Sequence, residues 1–195
     1  MNNVSLQVSE HEHLAITGPS GSGKTTLLNL ISGIDVPSEG RVTVLDNCIS
    51  QLTEEQRVAF RGKNIGMIFQ DFCLFSGLSA YENVKMFAPK DCDEAACIDL
   101  LCQVGLSERV HTLTRHLSGG EKQRVAIARA MITSPDILLA DEPTAQLDRY
   151  TAQSVMDLFF QLRQTKAVTM VLITHDLSIA QRCDRILSME SLSDE

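Results

Sequence analysis

The residues Gly18-Pro-Ser-Gly-Ser-Gly-Lys-Thr25 match the pattern G-x-x-x-x-G-K-[ST] of a P-loop, between an apolar run and a helical one. Gly18, Gly21 and Gly23 let the backbone turn its N–H groups onto phosphate oxygens, and Pro19, Ser20, Ser22 and Thr26 complete the loop. Lys24 is suited to the β- and γ-phosphates, and the Thr25 hydroxyl to Mg²⁺. Further on, Ile137-Leu-Leu-Ala-Asp-Glu142 ends an apolar run on two carboxylates. Asp141 fits Mg²⁺ coordination through water, and Glu142 fits the general base that polarises an attacking water. Adjacent carboxylates also suit a solvated strand end, but a P-loop in the same chain favours the catalytic reading. Gln70 and His175 say little individually. Their value is position, because each follows an apolar run. A Gln amide there can meet both Mg²⁺ and the attacking water, and an imidazole can donate to a γ-phosphate oxygen.

A second candidate lies far downstream. Ser118-Gly119-Gly120-Glu121 has the S-x-x-E spacing of a capping box, which predicts a helix beginning at Gly119. Val125, Ala128, Met131 and Ile132 continue that helix at helical spacing. A hydroxyl, bare glycine amides and a helix N-terminus can also bind an anion. The spacing alone fits either a well-capped helix or a second phosphate site.

The elements that must position these groups follow from apolar patterning. Leu14–Thr17, Ile65–Phe69, Ile137–Ala140 and Val168–Thr174 are runs of strand length, with helical patterns at Thr25–Ile34, Gly120–Ile132 and Thr151–Gln164. Alternation of buried strands with helices predicts an α/β fold with a mostly parallel sheet. Each run stops at a polar group, and ligands of open α/β sheets sit beyond the carboxyl ends of the strands. Four such ends predict one shared site. Val4–Val8 and part of Gly40–Asp46 alternate with period two and predict antiparallel strands flanking the core. Asp93–Leu106 has helical spacing with Gly105 as its stop, within a mostly helical insert over 71–117. The chain reads as a single domain, with a nucleotide-binding core from 1–70 and 118–195.

Bulk properties narrow the function classes. The chain has 195 residues, 44% hydrophobic and 22% charged, which is ordinary globular composition. A net charge of −8 argues against nucleic acid or anionic lipid as a general partner. No run approaches the roughly 20 apolar residues of a membrane-spanning helix, and no signal peptide is visible, so a cytoplasmic protein is expected. The six cysteines show no C-x-x-C pair or metal-ligand spacing and read as small apolar residues in a reducing compartment.

With these motifs in hand the chain resembles the ATP-binding subunit of an ABC (ATP-binding cassette) transporter. The resemblance rests on "GPSGSGKTT", Gln70 in "IGMIFQDF", "LSGGEKQR", "ILLADEPT", "AQLD" (Ala145–Asp148) and "ITHD". The stretches "NIGMIFQDFCLF" and "LLADEPT" look most like the lipoprotein-release, macrolide-export and cell-division branch. The resemblance implies an ABC-type P-loop NTPase fold with a RecA-like core, ATP and Mg²⁺ as ligands, and Mg²⁺ bound through Thr25, Gln70 and Asp141. It implies a head-to-tail homodimer or pseudo-dimer in which Ser118, Gly119 and Gly120 close on the ATP held by the other subunit's P-loop, with Asp148 at the dimer interface. It further implies an integral membrane transporter subunit as partner, no nucleic acid, and a peripheral place on the cytoplasmic membrane face. A cassette that regulates a membrane complex without transporting is the alternative.

The chain departs from the family in three places. No Tyr, Phe or Trp precedes Phe60, so the ring that stacks on adenine is missing and weak discrimination of ATP from GTP is expected, unless His11 or His13 supplies the stack. His11-Glu12 stands where the family usually has Gly-Glu. The C-terminus ends at "MESLSDE", without the Asp-Gly turn and closing strand.

Overall fold

A computed structural model describes residues 4–165 and 168–191. Its centre is a five-stranded, all-parallel sheet built from β1 (His13–Thr17), β4 (Ile65–Ile68), β5 (Ile137–Asp141), β6 (Thr169–Ile173) and β7 (Arg185–Ser188), in the order β4-β5-β6-β1-β7. Strands β1, β5 and β6 are apolar on both faces and covered on both. Leu14, Ala15, Ile16, Leu139, Leu172 and Ile173 are wholly buried. All four expected core strands are present. The fifth, β7, was not anticipated, since Arg185–Ser188 is too polar and exposed at the sheet edge to read as an apolar run. Of the C-terminal "MESLSDE", residues 192–195 lie outside the described part.

The helices are α1 (Lys24–Ser32), α2 (Glu54–Asn64), α3 (Ala80–Lys85), α4 (Glu94–Gln103), α5 (Gly119–Met131), α6 (Arg149–Thr165) and α7 (Leu177–Ala180). Helix α5 is the structural axle. Val125, Ala126, Ile127, Ala128, Ala130 and Met131 are all buried, as expected of a helix packed on most sides. Helices α3 and α4 contribute Ala80, Val84, Leu101 and Val104 to the same apolar cluster as Val125, Ile127, Leu138 and Met156. Gly105, at φ +76°, ends α4 as its sequence predicts.

Of the two expected flanking strands, one is present and one is not. In Gly40–Asp46, Thr43–Val44 (β2) pairs antiparallel with Asn47–Cys48 (β3), and Leu45 and Asp46 make the turn at φ 47° and 60°. Val4–Val8 forms no strand. Its alternation survives as packing, with Val4, Leu6 and Val8 against the Leu14–Ile16 cluster, but no ladder partner runs beside it among the described residues. A period-two pattern dictates which side chains face the core. It does not supply the neighbouring strand. Helix α2 was also unforeseen, although Thr53-x-x-Gln56 is a complete capping box.

His11 adopts φ 62° where glycine would be unstrained, so the substitution seen in the sequence leaves a real conformational cost. His13 begins β1 and is 3% exposed, with Nε2 3.0 Å from the Val168 carbonyl. The P-loop follows the other end of this five-residue strand, about 13 Å away at 3.3 Å per residue. The expectation that His13 could swing onto a base at the P-loop is therefore corrected. His11, two residues earlier, belongs to that same far end of the strand.

Candidate functional site

Strand order decides what can meet. Strands β4, β5, β6 and β1 are neighbours running the same way, so their carboxyl ends form one edge. That edge carries Gln70, Asp141-Glu142, His175 and the P-loop. The register is close: Asp141 lies opposite Ile173, and Ile173 opposite Ile16.

Two pairs of predicted residues are in direct contact. The Thr25 hydroxyl donates to Asp141 Oδ2 at 2.8 Å. Thr25 lies in the first turn of α1, and Asp141 ends β5. Glu142 Oε2 lies 2.6 Å from His175 Nδ1 and accepts the His175 backbone N–H at 3.3 Å. An ionised carboxylate only accepts, so Nδ1 carries the hydrogen in this pair. Glu142 is 15% exposed and His175 70%, which puts the carboxylate inside and the imidazole outside. Glu142 also has φ 45°, a left-handed conformation costing roughly 1–3 kcal/mol for a non-glycine residue. Its N–H bond to the Ile173 carbonyl (3.0 Å) helps to hold it there.

The P-loop is open. Gly18, Gly21 and Gly23 have φ of 149°, 79° and 93°. Gly23 caps α1 with no side-chain hydrogen bond, so the first N–H groups of the helix remain for a ligand. The Lys24 ammonium folds back onto the loop, donating to the carbonyls of Gly18 (2.9 Å) and Pro19 (2.8 Å). Ser22 Oγ is buried without a partner. An unspent hydroxyl, free amides and a lysine resting on its own loop fit a polyphosphate. Thr25 and Asp141 offer hard oxygen donors converging on one point, the donor set Mg²⁺ prefers.

The remaining predicted residues lie differently. Gln70 is exposed, in the turn after β4, and among the described residues its side chain makes no hydrogen bond. Its neighbour Asp71 accepts a hydrogen bond from Gln146 Nε2, which ties the turn to the segment before Asp148. Asp148 Oδ1 accepts the N–H groups of Tyr150 (3.1 Å) and Thr151 (3.0 Å) and so caps α6 within its own chain. The Thr151 bonds hold the Asp148 carboxyl below its ordinary value. Ser118 caps α5: its hydroxyl accepts from Glu121 N (3.3 Å) and donates to Glu121 Oε2 (2.8 Å), which also accepts Ser118 N. The predicted capping box is complete. Among the described residues no hydrogen bond joins Ser118, Gly119 or Gly120 to the P-loop. Instead the two glycines pack on their own chain, Gly119 beside Leu147 and Gly120 beside Thr151.

Arg129 escaped the sequence reading. It is 6% exposed, near the C-terminal end of α5, and its guanidinium donates to the carbonyls of Phe72 (2.9 Å) and Cys73. Those two residues, directly beyond Gln70 and Asp71, are left-handed at φ 57° and 49°. The guanidinium also lies 5.2 Å from the centre of the Phe87 ring. Burial lowers its pKa. A fork donor matched to two strained carbonyls holds the turn after Gln70 against α5. An arginine on an apolar helix face was the available signal.

Comparison with known proteins agrees with this geometry. The sequence profile of the ABC transporter family matches residues 1–145. The chain is 42% identical over 194 residues to the ABC transporter ATP-binding protein YbbA of Escherichia coli K12, covering 97% of this chain and 85% of that one. It is 42% identical over 193 residues to the lipoprotein-releasing system ATP-binding protein LolD of Legionella pneumophila strain Paris, covering 96% and 85%. Its fold superposes on the dimeric post-hydrolysis state of the ATP-binding cassette MJ0796, bound to ADP and Pi, with a TM-score of 0.87, 36% identity, and coverage of 95% and 84%. With this fold and these motifs, the chain is an ATP-binding and ATP-hydrolysing cassette and belongs to the ABC transporter family.

Proposed function

We propose that two copies of this chain, or one copy and a second cassette, close head to tail on two ATP molecules and drive a membrane subunit made as a separate polypeptide. Among the described residues no helix is long and apolar enough to cross a membrane, which fits a membrane subunit made separately. In this reading the chain works at the cytoplasmic face, and residues 71–117 form the helical subdomain that meets the partner. Phe75, Met86 and Phe87, each about half exposed near the Gln70 turn, support that docking face. Likeness to LolD favours a lipoprotein-releasing type of system.

The roles divide by geometry. Lys24 and the amides of Gly21–Thr26 bind the phosphates. Thr25, Asp141 and Gln70 would hold Mg²⁺, which would supply neutralisation of phosphate charge. Glu142 takes a proton from the attacking water, and His175 holds Glu142 in place through Nδ1–H and, as the imidazolium, donates its Nε2–H to a phosphate oxygen. Ser118, Gly119 and Gly120 act on the other subunit's ATP, and Asp148 lies at the interface between subunits. The observation that carries this reading is the strained, part-buried Glu142 carboxylate held 2.6 Å from His175 beside the Thr25–Asp141 pair.

Glu142→Gln is expected to keep ATP binding and lower turnover by roughly 10²–10⁴, the worth of a general base. Near-normal hydrolysis would remove Glu142 from the role. The ATP-bound variant should dimerise in light scattering, and adding Gly119→Asp should abolish the dimer while each monomer still binds ATP. The new side chain starts 3.2 Å from the flexible end of Leu147, so the fold should tolerate it. A dimer that persists would make Ser118-Gly-Gly a helix cap and nothing more.

A further inference from the structure

We propose that Cys92 and Cys97 are a thiol pair that a hydroperoxide closes to an intrachain disulfide. Asp93 caps α4, its Oδ1 accepting the Ala96 N–H at 2.8 Å. Cys92 therefore stands just before the cap and Cys97 four residues after it. These are the two positions whose apolar side chains meet across a helix entry as a hydrophobic staple. Here the staple is made of sulfur, and the two Sγ atoms are 3.9 Å apart. Packing alone needs only apolar side chains at these positions. Two thiols in contact add a chemistry that packing does not require.

The pair is asymmetric in the way a reversible oxidation requires. Cys92 is partly exposed and Cys97 is wholly buried. Burial, followed by the contact with Cys92, pushes the Cys97 thiol up to about 11. The Lys85 ammonium, which donates to the Cys92 carbonyl, pulls that value down, and the Asp93 carboxylate opposes it. Cys97 is thus the poorer first nucleophile and Cys92 the accessible one. A partly exposed thiol poised against a second one is the arrangement of redox-sensing cysteines.

The chemistry balances in two steps. The Cys92 thiolate attacks the hydroperoxide, breaking the O–O bond to give Cys92 sulfenic acid and water or the alcohol. Cys97 sulfur then attacks Cys92 sulfur, forming S–S and releasing a second water with the Cys97 proton. The sulfurs must close from 3.9 Å to about 2.05 Å, which side-chain rotation and the loop position of Cys92 allow. The product replaces a reversible contact at the entry of α4 with a covalent one. A thiol reductant reverses it.

The test uses the full chain, reduced and then exposed to equimolar hydrogen peroxide. Trypsin releases Asp91–Arg109, which carries Cys92, Cys97 and Cys102. The expected peptide has lost two hydrogens, gives no backbone fragments between Cys92 and Cys97, and regains its mass with dithiothreitol. Cys97→Ala should instead leave a sulfenic acid on Cys92 that a cyclic diketone traps. A bond to Cys102 or to a second chain would overturn the proposal. So would advance of Cys92 to sulfinic acid while Cys97 remains alkylatable, or an unreacted pair. Mapping of the unsubstituted chain decides the matter even if the variant fails to fold.

Discussion

Helices α1 and α5 both begin with glycine and a hydroxyl residue, yet their N-termini are in opposite states. At α1 the cap is Gly23 at φ 93°, without a side-chain bond, and Ser22 Oγ is buried and unpartnered. Its lysine lies on the loop's own carbonyls. At α5 the cap is Ser118, whose hydroxyl and N–H are both engaged by Glu121. One terminus keeps its hydroxyl unspent, and the other has its hydroxyl engaged in a capping box. An unsatisfied N-terminus costs stability until an anion arrives, whereas a capping box is stable alone and must rearrange to give its hydroxyl to a ligand. In the proposed reading the first holds phosphate within one chain, and the second meets the ATP of another.

The difference is sharpest in Lys24→Ala. Removing a charge-assisted contact worth about 1.5–3 kcal/mol should weaken ATP binding roughly 10- to 150-fold by titration calorimetry. Thermal stability without nucleotide should barely change, because Lys24 meets only loop carbonyls, one part-buried and one exposed. Unchanged ATP affinity would remove Lys24 from the phosphate site and erase the contrast.

Gly120→Ala should show the reverse pattern. Its Cβ would lie 2.5 Å from Thr151 Cγ2, so α5 and α6 must separate, at an overpacking cost of about 1–3 kcal/mol in denaturant unfolding. Thr151→Ser, which removes that methyl, should restore most of the loss. Failure of the rescue would mean that Gly120 is needed for something other than close packing.

The smallest effect belongs to Ser118→Ala, expected to cost about 0.5–2 kcal/mol while leaving ATP binding by the monomer intact. It also tests a pH dependence. The Ser118 N–H and hydroxyl hold the Glu121 carboxyl below its ordinary value, with Arg109 adding to the effect. A depressed carboxyl stabilises the fold above its unfolded pKa, and the gain disappears as pH falls through the folded value. Acid unfolding of Ser118→Ala should therefore show a shallower loss over that interval. An identical profile would place the stabilisation elsewhere.

Much of the active edge was legible because apolar runs and their polar stops are local. Leu14–Thr17, Ile65–Phe69, Ile137–Ala140 and Val168–Thr174 each became a core strand, and the S-x-x-E spacing gave the first residue of α5. Gln70, Asp141, Glu142 and His175 were found for the same reason, as the residues that end those runs. What failed depended on neighbours. Val4–Val8 has a strand's alternation but no ladder partner among the described residues, and Arg185–Ser188 lacks an apolar run but pairs with β1.

The sequence by itself determined the phosphate loop, the two carboxylates and the helix cap, because glycine conformation, hydroxyl capping and strand hydrophobicity act over a few residues. Only the tertiary structure decided that Thr25 meets Asp141 across 116 positions, that Glu142 is strained and held by His175, and that Arg129 reaches the carbonyls beyond Gln70. It also decided that His13 is core and not a base-stacking ring. Those outcomes follow from strand order and helix packing, which bring distant residues together through burial of surfaces no local pattern specifies.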